Sequence, residues 1–260
     1  MPQDAAEPTA PAPAPPAPRR DAETTSPDRP PTSPPRADPV TSLDDPRAVQ
    51  ILTAEHGSLL SARSLAYNEA FTRGGNFLAF LSTSFVALAL VAQVLPERGA
   101  LLLVTALVLV FDLVVGLTTY GRTVVASYED YRAVRGMARI RHSYGEVAPV
   151  VLPYFTDTTH DDLPGVMVTY GSPPTSGLGA VLYGLTSSAG TMVLINSMLG
   201  GVLALVVVLI VGGPLGVAGA AGLGVGVIML GALVLATARY YGRVQAELAV
   251  AFPTPAEDDG

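Results

Sequence analysis

The chain has 260 residues, a net charge of −7 and neither Trp nor Cys, and all fifteen basic residues are Arg. The missing Cys excludes disulfides, thiolate metal sites and Cys nucleophiles, and the acidic balance excludes the basic stripe of a nucleic-acid binder. Mean hydropathy is +0.42 in spite of a long polar N-terminal stretch, so the apolar residues are concentrated elsewhere.

Residues 1–45 hold thirteen prolines among Ala, Ser, Thr, Asp and Arg. Such a stretch buries too little apolar surface to offset its ordering entropy. It reads as a disordered, partly polyproline-II tether. The functional alternative is a ligand for a proline-binding partner, or a phosphosite at Thr24, Thr25 or Ser26. No apolar run precedes about residue 77, which argues against a cleaved signal peptide.

Asp45-Pro46 has the composition of a helix start, an N-cap Asp with Pro at the first helical position. Val49, Leu52, His56, Leu59, Arg63 and Ala66 then keep helical spacing towards Phe71. This predicts an amphipathic helix on the membrane surface or against a neighbouring helix. The alternative for His56 is a ligand or a pH sensor, against which stands the absence of a co-ligand in view. Gly74-Gly75 is expected to loosen the chain before a first span at 76–95, and Pro96-Glu97-Arg98 to turn it into a second at 99–120.

The second span, GALLLVTALVLVFDLVVGLTTY, holds a carboxylate, Asp112. Thirteen Leu, Val and Phe residues surround it. On an insertion scale they contribute about −6 kcal/mol against a cost of about 3 for the Asp, so insertion is favoured. Asp112 lies eight residues before Tyr120, about 12 Å inside the helix end at 1.5 Å per residue. Ser82, Thr83, Ser84, Asn196 and Ser197 fall at similar depth in their own spans. Two readings follow. Asp112 hydrogen-bonds to Ser84, Thr83 and Asn196 and glues the helices together, or it is a proton or cation site for transport or gating, as intramembrane acids often are.

Beyond the second span a further helix is expected to about Tyr144, carrying Arg122, Arg132, Arg135, Arg139 and Arg141 with Tyr128, Tyr131 and Tyr144. It reads as the ordinary flank of a span, or as a surface for anionic headgroups, each nearby Arg contributing up to about 1 kcal/mol. Residues 146–190 form a central segment. Pro149, Pro153, Pro164, Pro173 and Pro174 limit its regular structure, and a short interfacial helix is expected at 176–188. Within it His160-Asp161-Asp162 reads as a turn with local side-chain to backbone bonds, or as a docking loop for a cytoplasmic partner. Consecutive side chains rarely converge on one metal ion, and none is expected here.

Span three is expected at 192–211 and span four at 215–236, joined by Gly212-Gly213-Pro214. A last helix at 239–250 precedes the acidic tail, 253–260. Ala218, Gly222 and Gly226 make a small-xxx-small row for close helix packing, against the same chain or a second copy. Tyr120-Gly121-Arg122 and Tyr241-Gly242-Arg243 follow spans two and four. They suit interfacial anchoring of Tyr120, Arg122, Tyr241 and Arg243, and they hint at a duplication with parallel halves.

The sequence therefore predicts an all-α polytopic membrane protein. Its four transmembrane helices, each long enough for a hydrocarbon core of about 30 Å, form two helical hairpins flanked by cytoplasmic amphipathic helices. Fourteen of the fifteen Arg lie outside the two short turns. The positive-inside rule then puts both termini and residues 121–190 in the cytoplasm of an inner (plasma) membrane. No Ser-His-Asp set with a nucleophile elbow, no HExxH and no paired acid and base stands out, so neither enzyme chemistry nor a cofactor is expected. The partners expected are the lipid bilayer, a second copy of the chain and a cytoplasmic protein, and no nucleic acid.

Residues 49–93, VQILTAEHGSLLSARSLAYNEAFTRGGNFLAFLSTSFVALALVAQ, with the later HDD…GVMVTYG stretch, resemble a group of multi-pass membrane proteins of high-GC bacteria. The similarity covers most of residues 46–250. The group has no assigned activity, so the resemblance implies membrane residence and no site residues. The helix–span–span–helix plan is similar, in architecture alone, to the two-span effector domains of bacterial nucleotide-signalled conflict systems. That likeness implies membrane perforation, with the unit present twice. Two classes stay open: a self-associating scaffold or adaptor, and a channel or pore-forming effector centred on Asp112.

Overall fold

A computed structural model describes residues 39–172 and 176–255. The stretch containing Thr24, Thr25 and Ser26, together with Pro173, Pro174 and the acidic residues Glu257, Asp258 and Asp259, lies outside the described residues. All regular structure among the described residues is helical. The elements are α1 (Pro46–Val94), α2 (Arg98–Val147), a 3-10 turn (Pro149–Tyr154), α3 (Leu163–Thr169), α4 (Gly177–Thr186), α5 (Ser188–Ile210) and α6 (Leu215–Glu247). Four of them, α1, α2, α5 and α6, are long and apolar enough to cross a membrane, with mean hydropathies of 2.1, 2.7, 2.6 and 2.2 in their most apolar windows. The chain is thus a multi-pass membrane protein in character, and large apolar side chains such as Leu107, Phe111 and Val227 stand exposed along it.

Three of the expected flanking helices are not separate elements. α1 runs unbroken through Gly74-Gly75, α2 through Gly121 and α6 through residues 237–238. The expected loosening at Gly74-Gly75 is therefore corrected. A helical glycine costs about 1 kcal/mol relative to Ala, too little to break a helix that is hydrogen-bonded and packed on both sides. Gly74 is buried, and a Cβ there would sit 3.7 Å from Met192 Cε of α5. α6 ends at Glu247, so residues 248–255 leave the helix and run back across the protein.

α1 packs along α2, α5 packs along α6, and α2 packs on α5, which joins the two pairs. Two hydrophobic clusters result. One lies among the apolar stretches of α1, α2 and α5, around Phe77, Leu81, Leu109, Met192 and Leu199. The other lies beyond them, where Tyr131, Val134 and Met137 of α2 meet Val166 of α3, with Leu59 of α1 and Leu248 packed against it. The second half of α2 is thus the core of a headpiece built from the more polar parts of the chain.

Candidate functional site

Asp112 faces inward from α2, fully buried. Its Oδ1 accepts a hydrogen bond of 2.9 Å from the Ser84 hydroxyl on α1, while Oδ2 has no hydrogen-bond partner within the protein. One turn further along α2 is Gly116. A Cβ there would lie 2.3 Å from Asn196 Oδ1 and 2.8 Å from Phe77 Cζ, so the missing side chain is what admits Asn196 of α5 to the seam. Asn196 is also fully buried. Its amide donates to the Met192 carbonyl at 2.8 Å, and its Oδ1 has no hydrogen-bond partner within the protein. The seam of α1, α2 and α5 therefore contains two buried oxygens without a hydrogen-bond partner. Such orphan acceptors are costly in an apolar interior, and a donor, whether a proton, a water or a small cation, would satisfy them.

Ser84 and Asn196 reach this seam, whereas Thr83 does not. Thr83 is exposed and donates to the Ala79 carbonyl of its own helix at 2.9 Å; Ser82 likewise donates to Leu78 O at 2.8 Å. Successive helical residues lie about 100° apart, so only one of the three hydroxyls can face α2.

Tyr120 and Tyr241 point into the protein. The Tyr120 hydroxyl is 2.7 Å from Thr237 Oγ1 and donates to Leu233 O at 3.1 Å, tying α2 to α6. Arg122 pairs with Glu69 of α1 at 2.7 Å, and Arg243 is exposed. The small-residue row packs within the chain. A Cβ at Gly222 would come 2.8 Å from Gly201 O, one at Gly201 would come 2.7 Å from Gly222 O, and one at Gly226 would come 3.3 Å from Ser197 O. Ala218 is fully buried. Between the two occupants left open, α5 of the same chain is the one in place.

Most arginines of the second half of α2 pair with carboxylates. Arg135 and Arg139 bind Asp161 at 3.2 and 2.7 Å, Arg141 binds Asp157 at 2.8 Å, and Arg63 of α1 binds Asp130 at 2.8 Å. A lipid-facing row of free guanidinium groups is therefore not what this helix presents; Arg132, exposed and over the Tyr128 ring, comes nearest to it.

His160-Asp161-Asp162 is a clasp. Asp162 caps α3 by accepting from Gly165 N at 3.0 Å, and it also accepts from Thr254 N at 2.8 Å. Asp161, fully buried, accepts from Phe252 N at 2.7 Å and Ala251 N at 3.0 Å as well as from the two arginines. Burial alone would raise the pKa of this carboxyl. The Phe252 amide, the Arg139 guanidinium and the Ala251 amide outweigh burial and hold it at about 2. Arg135 and Arg139 also donate to the Ala249 carbonyl, and the His142 ring stacks on Phe252 at 3.8 Å. The loop thus docks the chain's own C-terminal segment. The i, i+4 spacing of Arg135 and Arg139 places both on one face of α2, and that spacing was the available signal for a shared acidic partner.

Among the described residues no group of three or more His, Asp or Glu side chains is placed to hold a metal ion. No family model, curated protein or solved structure matches the chain.

Proposed function

We propose that the protein is a non-enzymatic scaffold or adaptor of the inner (plasma) membrane, with two helical hairpins in the bilayer and both termini in the cytoplasm. The observation that carries this reading is the continuity of α1, α2 and α6 from their apolar stretches into an ion-paired headpiece. Unbroken helices leave no hinge between membrane and headpiece, and the arginines serve to hold that headpiece together. A rigid platform of this kind suits the binding of a cytoplasmic protein, and self-association belongs to the same reading. Reporter fusions after Arg139 and at the C-terminus test the topology, and both should report cytoplasm. Cross-linking from the headpiece in intact cells should recover a discrete partner or a second copy. Recovery of bulk lipid alone would sink the adaptor.

The second reading, a channel or pore-forming effector, is favoured by one observation: the unpartnered Asp112 Oδ2 and Asn196 Oδ1 in the seam of α1, α2 and α5. Proteoliposomes loaded with a pH-sensitive dye separate the two readings. The scaffold predicts the same proton and sodium leak for wild type and Asp112→Asn. A leak that falls severalfold in the variant establishes the channel.

A further inference from the structure

Two cavities meet where the apolar stretches of α2, α5 and α6 end. The first is a half-open cleft of about 540 Å³ with wall residues from all six helices, Tyr67 and Tyr183 at its exposed rim. Its walls include five tyrosines, Tyr67, Tyr131, Tyr170, Tyr183 and Tyr241, and one ionisable acid, Asp130. The second, about 400 Å³, lies between α4, α5 and α6, lined by apolar side chains including Val181, Leu185, Val193 and Val234. Ser127, Ser187 and Tyr241 line both, so the two share a boundary. Each volume is in the range of sites that hold small organic ligands, about 300–1,000 Å³. Val193 and Val234 belong to the apolar stretches, whereas Ser127 and Tyr241 lie beyond them. The pair of cavities therefore runs from a polar, aromatic chamber into an apolar limb.

The charge of the chamber narrows the ligand. Asp130 is already neutralised: Oδ1 accepts from Arg63 Nε at 2.8 Å and Oδ2 accepts from the Tyr170 hydroxyl. The Arg63 guanidinium also lies over the Tyr67 and Tyr170 rings, 5.7 and 6.0 Å from their centroids, so a cation already occupies the aromatic faces that would attract another. No Arg or His is among the wall residues to receive a phosphate. What the chamber offers is uncharged. Tyr131 is 6% exposed, and its hydroxyl makes no hydrogen bond within the described residues, nor do the Gln245 amide and the Ser188 hydroxyl. Ala66, Ala70 and Ala126 leave the space open.

We propose that the joined cavities bind a neutral amphiphile of the acylglycerol class, with its uncharged hydroxyl-bearing headgroup among the tyrosines and an acyl chain in the apolar limb. Tyr131, Gln245 and Ser188 supply the hydrogen bonds to the headgroup. The inference does not depend on the scaffold reading, since either a scaffold or a channel can carry such a site.

The chain contains no Trp, so a single introduced indole reports the site without background. The full chain carrying Tyr183→Trp is reconstituted in vesicles of phosphatidylethanolamine and phosphatidylglycerol and titrated with a diacylglycerol bearing brominated chains. The expected result is saturable quenching at a few mole per cent. Phosphatidic acid with the same brominated chains should need an about tenfold or higher mole fraction, because the guanidinium beside the chamber, that of Arg63, is already paired with Asp130. Tyr67→Trp, on the opposite wall, repeats the measurement should Tyr183→Trp disturb α4. Tyr154→Trp, in the exposed 3-10 turn, reports bulk quenching only. Adding Ala70→Phe, which fills the chamber from a half-buried position, should abolish saturation while leaving the helical melting curve unchanged. Quenching that rises linearly and equally at Tyr183→Trp and Tyr154→Trp overturns the proposal. So does saturation by phosphatidic acid at the same mole fraction, or saturation that survives Ala70→Phe.

Discussion

The two halves of α2 meet their neighbours by different physics. In the apolar half, Asp112 is fully buried with one hydrogen bond, from Ser84. In the headpiece half, α2 supplies Arg135 and Arg139 to Asp161, which is equally buried but also accepts from the Phe252 and Ala251 amides. A buried carboxylate with all its donors fixes the geometry around it, whereas one with a donor missing is left with a desolvation cost. The bundle is accordingly held by close contact of small residues, the headpiece by a buried carboxylate with all its donors, although Arg135 Nε and Arg141 Nη1 there are buried without a hydrogen-bond partner.

Breaking the satisfied side should have the largest effect. Asp161→Ala leaves Arg135, 5% exposed, without its carboxylate and removes the acceptor of the Ala251 and Phe252 amides. Loss of one partner of a buried pair costs about 3–5 kcal/mol, to be read as a lowered thermal midpoint in detergent and as new proteolysis in the C-terminal segment. The pH dependence has a defined sign. The folded pKa of Asp161, about 2, lies below its ordinary value of 3.8. Its contribution to stability is therefore complete above about pH 4 and is lost as the pH falls through about 2. Headpiece protection should fade across that acid window in wild type and fade less in Asp161→Ala, where the carboxyl of Asp162, its pKa lowered against burial by Thr254 and Gly165, still contributes.

The bundle side gives smaller numbers. Gly201→Ala puts a methyl group 2.7 Å from the Gly222 carbonyl oxygen. Backbone cannot rotate away as a side chain can, so α5 and α6 must separate, at an overpacking cost of about 1–3 kcal/mol. Cysteine pairs across the two helices should cross-link more slowly in the variant. Tyr120→Phe removes the hydroxyl that joins α2 to Leu233 O and Thr237. A hydrogen bond of this kind contributes about 0.5–1.5 kcal/mol, and a melting-point loss larger than that of Gly201→Ala would reverse the ranking.

Legibility in the sequence follows the same division. The four apolar helices could be read because an apolar run of about 20 residues matches the hydrocarbon thickness and exceeds the length of an ordinary buried core helix. Asp112, Ser84 and Asn196 could be placed at one depth by counting residues, but Thr83 could not be set aside without the helical phase of α1 relative to α2. Gly74-Gly75 suggested a break, since glycine preference is local and the packing that overrides it is not. The headpiece was the least legible part. Asp161 lies 22 residues from Arg139 and 91 from Phe252, and no local pattern encodes a partner at that separation.

The smallest expected effect tests the comparison most directly. Asp112→Asn keeps the size and shape of the side chain and can keep the bond to Ser84, since an amide oxygen accepts as a carboxylate oxygen does. It also converts the orphan oxygen position into a donor, so no unpartnered acceptor remains on that side chain. The stability change should therefore lie within about 1 kcal/mol of zero, a fraction of that for Asp161→Ala, although both residues are fully buried. Asp112→Leu distinguishes relief of the missing donor from simple loss of polarity. It abolishes the Ser84 bond and leaves that hydroxyl without its acceptor on α2, so it should be less stable than Asp112→Asn. Were Asp112→Asn to melt as early as Asp161→Ala, the carboxylate in the bundle would have to be as fully engaged as the one in the headpiece, and the contrast between the two halves of α2 would not hold.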